Sequence, residues 1–342
     1  MGVRKQRHGL VALVVAAGFV AASAAAVGAD DGVRFIDGLE NPEDLAEVPR
    51  SPWVLASSWQ DDGYIAAVHK GSERVVEVYP GVAPQADHDR ELYGECPGPL
   101  TDGFYSHGIS LKPSSARGRG ARTHTLYVVR HNAREAIEVF EVDATGPQPT
   151  LTWIGCILPP ADVPLDFNSV AWVPDGDGVA VTSPGTDDVW EWHPVTGWSQ
   201  VPGSQGISPN GIEISPDGAW YYVGGWGTET LYRISRGATP VQVDSVPVGF
   251  HIDNIHWDDH GQLLVAGHQA TVQAVIDCLV IDVCEDIVSK VVRVDPELQE
   301  IEEVLSYPTD ELLALGTAAI QVNSRVWVGG LAGERIAVIT NR

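Results

Sequence analysis

Amide and carboxylate side chains recur at one position of a repeated sequence pattern. Asn210 stands in SPNGIEISPDG, where a short apolar run ends in a Pro-Asp-Gly turn, and Asn168 has the same place in FNSVAWVPDGDG. Asp253 and Asn254 open a third copy, DNIHWDDHGQ. A single Asn or Asp before a strand is more often a turn former or a cap. Recurrence in one frame instead indicates that these oxygens converge on a shared cation, for which calcium is the best match to hard oxygen donors.

The elements that would position these residues resemble short β-strands. Runs such as RVVEVYP, WYYVGG and RVWVGG are bounded by turn residues, and helical periodicity is scarce, as is typical of a sandwich, barrel or propeller. Aligning the strand before each turn gives six equivalent positions: Glu43, His107, Asn168, Asn210, Asn254 and Thr317. They lie 42 to 64 residues apart, within or somewhat above the length of a four-stranded blade. The sequence therefore predicts an all-β fold, a six-bladed β-propeller with a central metal-binding tunnel.

The innermost strand of each blade lines the channel of a propeller, so residues that open these strands should meet there. We therefore predict one calcium ion held by oxygen atoms from two carboxylates and three amides: Glu43, Asn168, Asn210, Asp253 and Asn254. The two carboxylates balance the charge of the ion. Five protein ligands also leave room for water or substrate among the roughly six to eight positions that calcium accepts.

Charge and the N-terminal segment narrow the classes of partner. The chain has 46 Asp and Glu against 21 Lys and Arg, a net charge of -25, which disfavours nucleic acid and anionic membrane surfaces. Residues 1–29 combine a basic start, an apolar run and small residues, and they are interpreted as a cleaved secretory signal peptide, with a retained anchor as the alternative. The prediction is a single propeller domain over residues 30–342, with no later membrane span and a secreted or periplasmic location.

Four cysteines are an even number in a chain predicted to be exported, so two disulfides are expected among three possible pairings. We favour a local clip between Cys278 and Cys284 and a longer link between Cys96 and Cys156.

Six segments together resemble the paraoxonase/arylesterase family and, more distantly, the propeller superfamily of senescence marker protein, gluconolactonase and strictosidine synthase. They are PEDL, SHGIS, LYVVRHN, LDFNSVAW, NGIEISPDG and DNIHWDDHGQLLVAGH, and the resemblance runs from about Gly38 to the C-terminus. It implies a six-bladed propeller with calcium in the tunnel and hydrolysis of lactones and aryl esters. The five ligands it implies are those already named, and the family's catalytic histidine pair falls on His107 and His131.

The sequence departs from that family at two places. A second, structural calcium of the family corresponds here to Asp44 and the backbone carbonyl of Ile109, but Ser169 replaces the aspartate that supplies a further ligand. The family's disulfide between the chain ends has no counterpart, so closure of the ring must rest on strand pairing.

The function expected from the residues and the resemblance is calcium-dependent hydrolysis of a small-molecule ester or lactone. Calcium would polarise the carbonyl, His107 would take a proton from the attacking water, and His131 would orient His107. The sequence contains no GxSxG segment, the motif that would indicate a serine nucleophile. Two alternatives stay open: a sugar lactonase of the gluconolactonase type, which does not need the histidine pair, and a non-catalytic binding propeller with a stabilising calcium.

Overall fold

The structure is a computed structural model that describes residues 32–100, 102–115, 122–174, 176–281 and 283–340. Six mainly antiparallel sheets follow one another along the chain, and the innermost strands of neighbouring sheets contact each other around a closed ring. The predicted all-β six-bladed propeller is confirmed. The predicted signal peptide lies outside the described residues, as does Asp175, the aspartate of the Pro-Asp-Gly turn in FNSVAWVPDGDG.

The strands are numbered in chain order, beginning with β1 (Val33–Asp37). Blade 1 comprises β2 (Leu45–Glu47), β3 (Trp53–Ser57), β4 (Ile65–His69) and β5 (Val75–Tyr79). Blade 2 comprises β6 (Gln85–Ala86), β7 (Phe104–Lys112), β8 (Thr123–Asn132), β9 (Ala136–Asp143) and β10 (Thr150–Ile157). Blade 3 comprises β11 (Val170–Trp172), β12 (Val179–Ser183), β13 (Asp188–His193) and β14 (Gly197–Gln200).

The second half of the ring continues the same arrangement. Blade 4 comprises β15 (Pro209–Ile214), β16 (Trp220–Gly225), β17 (Thr230–Ser235) and β18 (Val243–Pro247). Blade 5 comprises β19 (His251–Trp257), β20 (Leu263–Gln269), helix α1 (Val272–Ile281), β21 (Val288–Val294) and β22 (Ile301–Pro308). Blade 6 takes β23 (Ala314–Val322), β24 (Arg325–Ala332) and β25 (Arg335–Thr340).

The ring is closed by β1, which pairs antiparallel with β25 as the outermost strand of blade 6. Strand pairing therefore closes the ring, as the missing terminal disulfide led us to expect. The core between blades 1 and 6 adds to this closure, since Val54 packs in one buried cluster with Trp327 and Val338.

Four of the innermost strands carry a bulge at the position of the repeated residue. The pairing register shifts between Ser106 and Ile109 in β7, Pro209 and Ile212 in β15, Ile252 and Ile255 in β19, and Gly316 and Ala318 in β23. A bulge bends its strand and redirects a side chain, and bulges are common beside active sites. We expected these residues to open their strands, but His107, Asn210, Asn254 and Thr317 lie inside longer strands at the bulges. Glu43 and Asn168 do precede β2 and β11.

Two glycines allow neighbouring inner strands to approach at these bulges. A Cβ on Gly108 would lie 2.8 Å from the carbonyl oxygen of Asn168, and one on Gly211 would lie 2.1 Å from that of Asp253. Any other residue would push the adjacent blades apart at the level of the site.

Both expected disulfides are present, Cys96–Cys156 and Cys278–Cys284. The second lies at the end of α1, an element that the sequence did not predict because its run of β-branched residues is typical of a strand. The helix buries Val275 and Cys278 in a cluster with Leu315. No helix among the described residues is long and apolar enough to cross a membrane.

Candidate active site

Side chains from four blades meet around Glu43 at the channel. Asn254 Nδ2 donates to Glu43 Oε1 at 2.5 Å, and Thr317 Oγ1 donates to the main-chain oxygen of Glu43 at 2.6 Å. His107 Nε2 lies 3.9 Å from Glu43 Oε1. Residues of blades 1, 2, 5 and 6 that are far apart in sequence are thereby brought to one point.

Asn168 and Asn210 are held by the second strand of blade 3. The backbone nitrogen of Asn168 donates to the carbonyl of Thr182 at 3.0 Å, and Thr182 Oγ1 accepts from Ser169 N, also at 3.0 Å. The same hydroxyl donates to the carbonyl of Asn210. Thr182 thus couples the two asparagine-bearing segments of blades 3 and 4.

The electrostatics of this region favour uncharged forms. Burial, and then the charges of Asp44 and Asp253, raise the pKa of Glu43 well above its usual range. Burial and Asp44 also raise the pKa of Asp253 to about 8. Burial, and then His131, hold the pKa of His107 well below its usual range.

Two oxygen atoms in this set are open to a cation. Glu43 Oε2 and Asn210 Oδ1 are buried and have no hydrogen-bond partner among the described residues. A buried acceptor left unpaired costs about 1–3 kcal/mol, so each is a feature that needs a partner. Carboxylate and amide oxygens are the donors that calcium prefers, and the residues present therefore fit that ion.

The fit depends on amide oxygens. Within the described ranges, no three His, Cys, Asp or Glu side chains converge as a metal site by themselves. Asn168, Asn210 and Asn254 must supply the remaining donors, and Asn254, which turns its amide nitrogen to Glu43, would have to present its oxygen to a cation.

The residues expected at a second calcium do not fit one. Asp44 Oδ2 accepts from the backbone nitrogen of Ile109 at 2.7 Å, and Asp44 Oδ1 accepts from Leu45 N at 2.8 Å and His256 Nε2 at 2.7 Å. Both oxygens of the carboxylate are therefore occupied by protein donors. Ser169, which replaces the family's aspartate, adds no charge.

His256 is the functional-looking residue that the sequence reasoning missed. Burial opposes its charge, but Asp44 and then Glu213 outweigh burial and raise the pKa of His256 to about 10. The sequence could have pointed to His256 through its place in DNIHWDD, two residues after Asn254 on the same strand. Alternate residues of a strand face the same side.

The structure brings His107 and His131 together. His107 Nδ1 and His131 Nε2 are 2.9 Å apart, and His131 Nδ1 lies 2.8 Å from Glu135 Oε2. Glu135 Oε1 in turn accepts from the backbone nitrogen of Phe167 at 2.7 Å. The sequence pointed to the two histidines and gave no role to Glu135.

A cavity of about 450 Å³ adjoins this region. Trp59 lines it, and the ring of Trp59 lies 6.2 Å from that of His107. Leu279 and Cys278 of α1 and Leu331 of β24 also line the cavity. Trp59 therefore contacts both the cavity and the surroundings of His107.

No family model and no curated protein matches the chain. Among solved structures, a protein named as a gluconolactonase from its family is similar at a TM-score of 0.56 and 15% identity over 92% of this chain and 93% of its own. A gluconolactonase from Xanthomonas campestris gives 0.55 and 14% over 90% and 89%, and a streptogramin B lyase gives 0.53 and 11% over 90% and 97%. At these identities the similarity establishes a fold shared with gluconolactonase-like propellers.

Proposed function

We propose that this protein is a calcium-dependent hydrolase of lactones or aryl esters, of the paraoxonase/arylesterase type. One observation carries the proposal: Glu43, whose buried Oε2 has no hydrogen-bond partner among the described residues, lies beside a hydrogen-bonded histidine pair. A binding propeller with a structural cation would not need that pair.

The ion would be held by five residues: Glu43, Asn168, Asn210, Asp253 and Asn254. When bound, calcium supplies electrophilic polarisation of the ester carbonyl and charge stabilisation of the oxyanion. Asp44 takes no part in this set, because its oxygens already accept hydrogen bonds from protein groups.

The histidine pair would handle the proton. His107 Nε2 faces Glu43, so a water molecule at that point can give its proton to this nitrogen as its oxygen attacks the carbonyl carbon. The ester C–O bond then breaks, and the leaving oxygen takes the proton back from His107. His131 holds the imidazole of His107 in place through the contact at Nδ1.

The fold and the disulfides support further parts of the proposal. Two of the similar propellers are named as gluconolactonases, which makes a sugar lactonase without need of the histidine pair the second candidate. The two disulfides are compatible with an extracellular or periplasmic protein, and we propose that the chain is exported.

The test is turnover of phenyl acetate and a panel of aliphatic and sugar lactones, with calcium or with EGTA. We expect turnover that EGTA abolishes and that His107→Gln lowers by about 10²–10⁴-fold, the usual contribution of a general base. His260→Gln, at an exposed turn, is the matched control and should be unchanged. Turnover of sugar lactones alone, unaffected by His107→Gln, would favour the second candidate, and no turnover of any substrate by the calcium-bound protein would leave the binding propeller.

A further inference from the structure

Glu135 uses both of its carboxylate oxygens at the edge of the site. It lies in the turn between β8 and β9, four residues after His131, and its side chain is 27% exposed. Oε2 contacts His131 Nδ1 at 2.8 Å, while Oε1 accepts from the backbone nitrogen of Phe167, the residue before Asn168. The carboxylate therefore joins the histidine pair to the segment that carries a predicted calcium ligand.

The hydrogen bonds fix a direction along this row of groups. A carboxylate can only accept, so the proton of the first contact belongs to His131 Nδ1. When His131 is a neutral imidazole with its proton on Nδ1, its Nε2 accepts, and His107 then donates from its own Nδ1. His107 Nε2 is then left with a lone pair, and this atom is the one 3.9 Å from Glu43 Oε1.

We propose that Glu135 is a positioning residue that sets the tautomers of His131 and His107, so that Nε2 of His107 presents its lone pair to the channel; as a role in hydrolysis, this rests on the proposed function. Without Glu135 the contact between the two histidines could form with the opposite polarity. His107 would then carry its proton on Nε2 and could not accept one from water.

The substitution Glu135→Gln reverses the polarity while keeping the other contact. Its amide oxygen can still accept from Phe167 N, which turns the amide nitrogen toward His131 Nδ1. His131 Nδ1 then has to accept from this amide, so His131 carries its proton on Nε2 and donates to His107 Nδ1. Both histidines should change tautomer together.

Tautomers can be measured directly by two-bond ¹H–¹⁵N correlation spectra of the full chain labelled at its 11 histidines, with calcium present at pH 8. Loss of one set of signals in His107→Gln and in His131→Gln assigns the two rings. We expect protons on Nδ1 of both rings in the wild type and on Nε2 of both in Glu135→Gln. The matched control is Glu303→Gln, which removes a carboxylate from the exposed ion pair with Lys290 and should change neither ring.

Kinetics give the second measurement. Glu135→Gln should lower kcat by about 10²-fold or more while KM stays within about twofold, because only the base is blocked. Glu135→Ala, which no longer fixes either direction, should give mixed tautomers and a smaller loss. If Glu135→Gln melts early, Glu135→Ala carries the test.

Unchanged tautomers in both Glu135 variants, or a wild type with its His131 proton on Nε2, would overturn the inference. If no ester or lactone is hydrolysed by the wild type and yet the tautomers switch as described, Glu135 keeps its positioning role and the proposed function fails instead.

Discussion

Glu43 and Asp44 are neighbours in sequence, both are 1% exposed, and their surroundings are opposite. Glu43 keeps one oxygen without a hydrogen-bond partner in the described part of the chain, as does Asn210 at Oδ1, whereas Asp44 accepts hydrogen bonds at both oxygens. A buried carboxylate with all its acceptor atoms filled by the protein stabilises the fold. A buried carboxylate oxygen without a protein donor is instead free to bind a cation, which is the role that we propose for Glu43.

The histidines near each residue differ in the same way. At Asp44, His256 donates to the carboxylate and its pKa is raised to about 10, so a protonated side chain serves as the counter-charge. Near Glu43, the pKa of His107 is held below its usual range, and the ring can act as an acceptor. The carboxylate of Asp44 is thus neutralised by a protein group, whereas Glu43 lies at the place where we propose that calcium and substrate bind.

The largest expected effect comes from substituting Glu43. Glu43→Gln should weaken calcium binding by about 10²-fold and remove nearly all calcium-dependent esterase activity, since it removes one of only two charged ligands. Asp44→Asn is the neighbouring control and should lower stability while leaving turnover per folded molecule within about threefold. Calcium-dependent rates of the two purified variants decide this, and equal losses of turnover would contradict the distinction between the two carboxylates.

Removing the histidine partner of Asp44 should instead lower the stability of the fold. His256→Ala leaves the buried carboxylate without its partner, and such a loss typically costs about 3–5 kcal/mol in the free energy of unfolding. Guanidinium titration of the calcium-saturated protein measures it, with His260→Gln as an exposed control. A change below about 1 kcal/mol would show that the pair does not neutralise Asp44.

The spacing of inner strands can be tested at a glycine. Gly211→Ala places a methyl group against the Asp253 carbonyl, and overpacking of this kind costs about 1–3 kcal/mol. Because Asp253 is a predicted ligand, calcium affinity should fall with stability. Gly71→Ala, where a Cβ meets only ordinary contacts with His69, is the control. A Gly211→Ala protein with wild-type calcium affinity would show that the strand approach does not shape the site.

The smallest effect is a pH dependence. His268 is buried beside His251, and burial, then His251, lower its pKa from 6.5 to about 4. As pH falls through this window the unfolded chain binds a proton that the folded chain does not, so stability is lost. His268→Gln, which keeps an acceptor for Trp226 Nε1, should therefore lose about 2 kcal/mol less than the wild type between pH 7 and pH 5. Parallel losses in guanidinium titrations at the two pH values would refute this.

The sequence predicted the features that repeat along the chain and missed those that depend on how strands pair. Asn168, Asn210 and Asn254 could be found because one frame recurs in three blades, and that recurrence also predicts the propeller. The bulges could not be found, since a register shift is a property of two strands together. The role of β1 in closing the ring depends on its pairing with β25, which follows it by about 300 residues.

The set of site residues predicted from the sequence was incomplete for a related reason. His256 and Glu135 act through hydrogen bonds whose direction is set by a partner, and a sequence does not show which atoms face each other. Helix α1 was missed because tertiary packing and the Cys278–Cys284 clip outweigh its local strand preference.

We propose that the channel holds one calcium ion at Glu43 and none at Asp44. Isothermal titration of the metal-free chain with calcium, supported by elemental analysis of the dialysed protein, measures the number of ions bound. We predict one ion per chain for the wild type and for Asp44→Asn, and weak or absent binding for Glu43→Gln and Asn210→Ala. Two ions per chain, or binding that survives Glu43→Gln and is lost in Asp44→Asn, would contradict this account.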